Sequence, residues 1–178
     1  MQAPGRADED PRGGFEHGGW AIAGNDDVMG AALGARMAES GGLLLGRRSF
    51  EDMLGYWNTQ DSPFKDALNT APKYVASRTL REPLPWPNST LLDGDAADAV
   101  VELKKRSDRD LGVMGSGELI QSLMARSLID EYLLMIHPLV LGSGRRLFAD
   151  GSPRSTLELV DATTSTTGVV LATYRPRT

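Results

Sequence analysis

Residues 110–126 restrict the fold of this chain more than any other stretch. A short apolar run, Leu111 to Met114, breaks at Gly115-Ser116-Gly117 and continues at once as Leu119, Ile120, Leu123 and Met124, spaced as one face of a helix. The sequence therefore predicts a strand, a glycine turn and a helix N-terminus. Such a junction presents free backbone N–H groups and the positive end of the helix dipole, which suits an anion such as phosphate. The plain alternative is a tight turn in which glycine supplies only positive φ. No third glycine completes a dinucleotide fingerprint.

The remaining chain alternates in the same way. Residues 1–19, rich in Gly, Pro and charge, read as loop, with Trp20 and Ile22 as the first anchors of a domain spanning 20–178. A helix is predicted from Asp26 or Asp27 to before Gly41, followed by a buried strand at Leu43–Leu45 and a helix from Gly46-Arg47-Arg48-Ser49 to Gly55. Ser62-Pro63 opens a short helix, and Lys73 to Ser77 is a second strand. Pro83, Pro85 and Pro87 then make a stiff surface connection to a strand at Thr90–Leu92. Asp95 opens a helix over Ala96–Lys105, and Glu131 to His137 forms a strand ended by Pro138. Thr156–Val160 and Thr167–Tyr174 are expected to pair as a hairpin across 161–166. This order predicts an α/β fold: a mainly parallel sheet with helices on both faces and an antiparallel C-terminal edge.

Composition removes several function classes. With 19 Lys and Arg against 24 Asp and Glu, a net charge of -5 opposes a nucleic-acid surface, and the basic residues are scattered. No cysteine is present, which excludes disulfides and thiolate chemistry, and two histidines without clustered ligands argue against a metal. No window approaches the ~20 apolar residues of a membrane span, and the N-terminus has no apolar signal core, so the expected location is cytoplasmic.

Three turns at strand ends carry the chemistry. Gly46-Arg47-Arg48-Ser49 places two guanidiniums and a hydroxyl at a helix start, and Ser77-Arg78-Thr79 offers hydroxyl, guanidinium, hydroxyl. With Gly115-Ser116-Gly117 they stand at the carboxyl ends of strands, where open α/β sheets bind ligands. Each turn also has a plain reading as solvated arginines or a polar strand end.

Four blocks in order carry a resemblance: Gly46-Arg-Arg-Ser-Phe-Glu51, Lys73-Tyr-Val-Ala-Ser-Arg-Thr79, Val113-Met-Gly-Ser-Gly-Glu-Leu119, and Met135-Ile-His-Pro through Gly142-Ser-Gly-Arg-Arg-Leu-Phe148. The chain, from about Phe15 to Tyr174, resembles the dihydrofolate reductase-like family. It is most similar to the branch containing the reductase domain of the riboflavin-biosynthesis deaminase/reductase. The resemblance implies a twisted, mostly parallel sheet and NADPH as cofactor. It implies that Gly46, Arg47, Arg48 and Ser49 face the cofactor phosphates, that Ser77 and Arg78 take the adenosine 2′-phosphate, and that Gly115, Ser116 and Gly117 take the pyrophosphate with Glu118 beside them. Family members open with a central strand that has no counterpart before Met1-Gln-Ala-Pro-Gly5, so either a start further upstream or a truncation with a gap for a neighbouring chain is expected.

The resemblance also places an acid after the Trp-bearing loop. Asn25, Asp26 and Asp27 compete for that position, and Asp26 and Asp27 are the candidate proton donors, with helix capping as the alternative. On the substrate side the candidates are His17 and Trp20 of the loop segment, Tyr56 and Trp57, and Arg145 with Arg146 as a phosphate contact. The aromatic pair has a core alternative, and the arginines a solvated one. The expected activity is NADPH-dependent hydride transfer to a C=N or C=O carbon of a small pteridine-, pyrimidine- or ribityl-like molecule, by a homodimer. A dinucleotide-binding protein without turnover, or a structural dimer module, are the competing classes.

Overall fold

The computed structural model describes residues 1–177. In chain order its elements are α1 (Asp27–Glu39), β1 (Gly42–Gly46), α2 (Arg47–Trp57), α3 (Pro63–Thr70), β2 (Lys73–Ala76), β3 (Ser89–Leu92), α4 (Ala96–Arg106), β4 (Leu111–Val113), α5 (Gly117–Ala125), β5 (Tyr132–Ile136), β6 (Leu157–Thr164) and β7 (Val170–Pro176). They fall into two compact units, Met37–Leu128 and the paired segments Met1–Arg36 and Ile129–Thr178.

The unit 37–128 is built on a parallel sheet of order β3-β2-β1-β4. Leu43 and Leu45 of β1 point to one face, where Phe50 of α2, Leu68 of α3, Val75 of β2 and Trp86 gather into one core cluster. Leu44 faces the other way and is just as buried, so β1 reads as the continuous apolar run of a strand covered on both faces. The residues around the three prolines are irregular, as their rings demand, and Pro83, Pro85 and Pro87 are exposed, as expected of a surface connection, but one side chain among them is not. Trp86 turns inward, 2% exposed, and its indole Nε1 donates to Asn69 Oδ1 at 2.7 Å. A buried indole must find an acceptor, and Asn69 supplies it.

Lys73, at the start of β2, is completely buried. Its ammonium donates to the carbonyls of Leu68 (2.5 Å) and Ala71 (2.7 Å), acceptors left over at the end of α3, and lies 4.9 Å from the Trp86 ring centre. Burial nevertheless pushes its pKa down from 10.5 to about 8.

In the other unit β7 lies between β5 and β6, antiparallel to both. The expected antiparallel edge of the parallel sheet is thus a separate three-stranded sheet, since consecutive strands joined by a short turn close on each other without a crossover. The hairpin turn also falls later than 161–166. β6 runs on through Thr163 and Thr164, and the reversal comes at 165–169, where Gly168 adopts φ +83° and the Ser165 and Val169 backbones bond. Threonines extend a strand readily, so the single glycine marks the turn. On one face Leu171 and Leu133 pack with Met29 and Ala32 of α1. Arg36 of α1 pairs with Glu131 and donates to Thr173 Oγ1 at 2.9 Å, while Arg175 holds the second Glu131 oxygen at 2.9 Å. Residues 1–19 are irregular apart from a 3-10 turn at Arg12–Gly14, yet the first anchors come earlier than Trp20: Gln2, Ala3 and Phe15 are buried, whereas Ile22 is 56% exposed.

Asp26 caps α1. Its Oδ1 accepts from the Met29 backbone at 2.9 Å, and its Oδ2 accepts from the backbone and hydroxyl of Thr166 at 2.6 and 2.8 Å. These bonds, the Met29 one foremost, hold its carboxyl at about 2, below the ordinary 3.8.

Two stability predictions follow the signs of these shifts. Folded Asp26 binds fewer protons than the unfolded chain between 3.8 and about 2, so its stabilisation is complete above 3.8 and disappears as pH falls through about 2. Asp26→Asn should melt lower than wild type at neutral pH, and the gap should close at acid pH; a constant gap across an acid titration of Tm would refute this. Lys73 also binds fewer protons when folded, so its contribution should improve as pH rises from about 8 to 10.5. Lys73→Met should lack that alkaline gain, and Lys73→Ala should lose about 2–4 kcal/mol in denaturant unfolding from the cavity and the abandoned carbonyls.

Candidate functional site

Parallel pairing sets the geometry of the unit 37–128. β1 pairs with β2 on one side, Gly46 opposite Ala76, and with β4 on the other, Leu44 opposite Val113. The carboxyl ends of all three strands therefore lie side by side, and with them the turns at Gly46–Ser49, Ser77–Thr79 and Gly115–Gly117. The three segments singled out in the sequence form one ledge.

Two helices begin on that ledge, and neither has a side-chain cap. The N-cap of α2 is Gly46, and that of α5 is Ser116, whose hydroxyl makes no capping bond. Elsewhere in the same unit the helices are capped in the ordinary way: Ser62 Oγ accepts from Lys65 N at 3.3 Å in α3, and Asp95 Oδ1 accepts from Ala97 N (2.9 Å) and Asp98 N (3.2 Å) in α4. Uncapped first turns leave N–H donors aimed outward with the dipole behind them. Gly115 (φ +72°) and Ser116 (φ +64°) are both left-handed, a conformation costly for a non-glycine residue, and together they swing the chain from β4 into α5. Positive φ thus sits on Gly115 and Ser116, whereas Gly117 is the first helical residue. The Ser116 hydroxyl accepts from Gly46 N at 2.6 Å, tying the two turns together. A Cβ on Gly115 would lie 3.4 Å from Ser49 Oγ, so that hydroxyl faces the same turn.

The charged residues around the ledge differ in how tightly they are held. Arg47 pairs with Glu51 (3.1 Å) and Arg48 with Glu118 (3.3 Å), both on the surface, where an ion pair is worth little and a phosphate competes easily. Glu118 is therefore the counter-ion of Arg48. Ser77 Oγ accepts from the Thr79 and Leu80 backbones at 3.2 and 3.0 Å, forming a turn that presents the exposed Arg78. Among the described residues Arg78 has no hydrogen bond or ion pair.

Tyr56 and Trp57 do not join this ledge. They end α2, roughly 15 Å along the helix from Arg47 at the usual rise. Trp57 packs edge-on to Phe64, with ring centres 4.6 Å apart, and borders the core cluster. Trp57 thus takes the core alternative weighed for the pair, and Tyr56, half-buried, meets it edge-on with ring centres 5.0 Å apart.

The remaining candidates belong to the other unit. Asp26 is the α1 cap, the alternative weighed for it, and its bonds from Met29 and Thr166 favour the ionised carboxylate. Asp27 is exposed in the first turn of α1. Trp20 donates from Nε1 to the Gln2 carbonyl at 2.8 Å and meets His137 edge to face at 5.0 Å. Burial pushes the His137 imidazole below its ordinary value, in keeping with a neutral packed ring. His17 is exposed, with its ring against Phe15. Arg145 is exposed beside a cleft of about 330 Å³ that Arg12 and Phe15 also line, and Arg146 pairs loosely with Asp150 at 3.6 Å. Gln2, Arg12 and Phe15 escaped the sequence reading, because a segment without periodicity gives no sign of which side chains turn inward. Among the described residues no group of His, Asp or Glu could hold a metal ion, and no helix is long and apolar enough to cross a membrane.

Comparison with known proteins agrees with this frame. A family model described as the RibD C-terminal domain matches residues 13–171. The uncharacterized protein YyaP of Bacillus subtilis (strain 168) is 33% identical over 138 residues, 74% of this chain and 72% of YyaP. Among solved structures, a provisionally assigned riboflavin biosynthesis protein from Shewanella sp. PV-4 superposes with a TM-score of 0.71 at 24% identity, covering 86% of this chain and 84% of that one. A pyrimidine reductase-like protein from Corynebacterium diphtheriae gives a TM-score of 0.64 at 12% identity, covering 89% and 84%. Acinetobacter baumannii RibD gives 0.59 at 13% identity, with this chain spanning 51% of its length. At these identities the structures establish the dihydrofolate reductase-like fold, and the family match extends over most of the chain: this protein belongs to the RibD C-terminal domain family, whose members are reductase-like.

Proposed function

We propose that this protein is an NADPH-dependent reductase acting on a C=N or C=O carbon of a small polar molecule, of pteridine, pyrimidine or ribityl type. The observation that carries the reading is the ledge of the unit 37–128, where two helix N-termini without side-chain caps stand beside an exposed arginine. That donor set fits a dinucleotide carrying an extra phosphate. The first turn of α5 and the backbone at Gly115 and Ser116 would take the pyrophosphate, with Ser49 beside it and Arg47 and Arg48 released from their surface carboxylates. Arg78, presented by the Ser77 turn, would take the 2′-phosphate. The bound nicotinamide would supply the hydride; this chain's own residues bind, orient and exclude water.

With Asp26 engaged in capping, Asp27, exposed in the first turn of α1, is the carboxyl left at that position for the proton that accompanies reduction. The engagement of Asp26 favours a second reading, a dinucleotide-binding protein without turnover. NADPH oxidation in the presence of dihydrofolate or a ribosylaminopyrimidine separates the two, since binding without oxidation supports the second. A homodimer in the cytoplasm remains part of the proposal, with sedimentation as its test.

The cofactor assignment makes two further predictions. A charge-assisted hydrogen bond is worth roughly 1.5–3 kcal/mol, so Arg78→Ala should weaken NADPH binding about ten- to a hundredfold and leave NADH nearly unchanged. Equal losses for both cofactors in fluorescence titrations would return Arg78 to the solvated surface. Ser49 is the third residue of α2, where an acid favours the helix dipole. Ser49→Asp should therefore keep or raise Tm while weakening NADPH at least about tenfold, because its carboxylate would occupy the anion's place. Undiminished NADPH affinity would contradict the phosphate assignment.

A further inference from the structure

Ser116 stands in a backbone conformation that a serine has no local reason to adopt. Its φ of +64° lies in the left-handed region, which glycine enters freely and a residue with a Cβ enters at a cost, and glycine occupies the positions on either side. A serine at a helix N-cap ordinarily accepts from the first N–H groups of its own helix, but this hydroxyl makes no such bond. It accepts instead from the backbone N–H of Gly46 at 2.6 Å, at a strand end 70 residues earlier in the chain.

The sheet explains why that N–H is open. Pairing between β1 and β4 stops at Leu44 opposite Val113, so β1 runs two residues past the end of its ladder on that side. Gly46 N–H finds no strand carbonyl there, and a half-buried donor without an acceptor is costly. Ser116 Oγ takes the place of the missing carbonyl. The approach is close: a Cβ on Gly46 would lie 3.2 Å from Ser116 Oγ and 3.4 Å from Ser116 Cβ. Gly46 has an ordinary φ of -80°, so space, not backbone freedom, requires glycine at this point. Having accepted, the hydroxyl keeps its own hydrogen, and among the described residues no group receives it.

We infer that Ser116 is a positioning residue: its hydroxyl staples the end of β1 to the start of α5, so that the first turns of α2 and α5 serve one pyrophosphate group together. The pyrophosphate rests on the cofactor reading above; the staple does not. Glycine at 116 would follow the same backbone without strain but could not reach Gly46, so the bond across the two turns is what the serine adds.

The test uses the whole chain as wild type, Ser116→Gly and Ser116→Ala. Both remove the hydroxyl, but glycine also relieves the left-handed backbone, whereas alanine keeps it strained. Hydrogen exchange at the Gly46 amide, followed by NMR, should quicken at least about tenfold in both variants, with the α4 amides unchanged as proof of folding. NADPH, NADH and inorganic pyrophosphate should each bind at least about tenfold more weakly, because all three present the same group to the paired turns. The preference for NADPH over NADH should survive, which separates this role from that of Arg78. Ser116→Gly should melt above Ser116→Ala although both bind equally poorly; affinities that track Tm across the variants overturn the positioning role. So does a loss confined to NADPH, or a faster Gly46 amide with all three affinities unchanged. An unchanged Gly46 amide overturns the staple. A wild type that binds neither NADPH nor pyrophosphate overturns the cofactor reading and the pyrophosphate role with it, while exchange still decides the staple.

Discussion

The hydrogen bonding of β1 on both edges is the constraint on which the candidate cofactor site depends. Because β2 and β4 run parallel to β1 and in register with it, every connection must cross over and every chain end on one side of the sheet is a carboxyl end. Helices then have to start where the strands stop. Two of those starts, at Gly46 and Ser116, are neighbours only because their strands are, and the Ser116 hydroxyl closes the gap between them. No local interaction within either turn would produce that ledge.

The lack of caps on this ledge contrasts with the care taken elsewhere. Ser62, Asp95 and Asp26 each satisfy orphan N–H groups of a helix, at a typical benefit of ~1 kcal/mol. At α2 and α5, on one edge and beside arginines, no side chain supplies that benefit, and these open N–H groups are what the proposed cofactor reading draws on. Asp26 shows the converse: a carboxylate tied by three hydrogen bonds becomes a stronger acid and a structural element of the α1 start.

Buried polar side chains do comparable work in both units. Lys73 ends α3 by reaching its free carbonyls from the next strand, and Gln2 joins loops that carry no regular structure. Each replaces a backbone ladder where the chain has none, and each is held because an unsatisfied partner in the interior would be more costly than the burial itself.

Much of this was legible in the sequence. Apolar periodicity located β1, α4 and the β4–α5 junction, turn chemistry located the starts of α3 and α4, and the four motif blocks carried the family and the three turns at the strand ends. These features are local: a 3.6-residue period, a capping serine or aspartate, a glycine break. What the sequence could not determine depended on partners distant along the chain. The packing of Trp57 was set by Phe64, and the second oxygen of the Asp26 cap is held by Thr166 across 140 residues. Trp86 was drawn inward by Asn69 and the β1 core, and Gln2 by a backbone N–H at Arg145. The separate antiparallel sheet arose because β5, β6 and β7 satisfy one another's hydrogen bonds, a matter of pairing rather than propensity. Local signals set where elements begin and end, but the burial and ionisation of a side chain are set by what the tertiary structure brings against it.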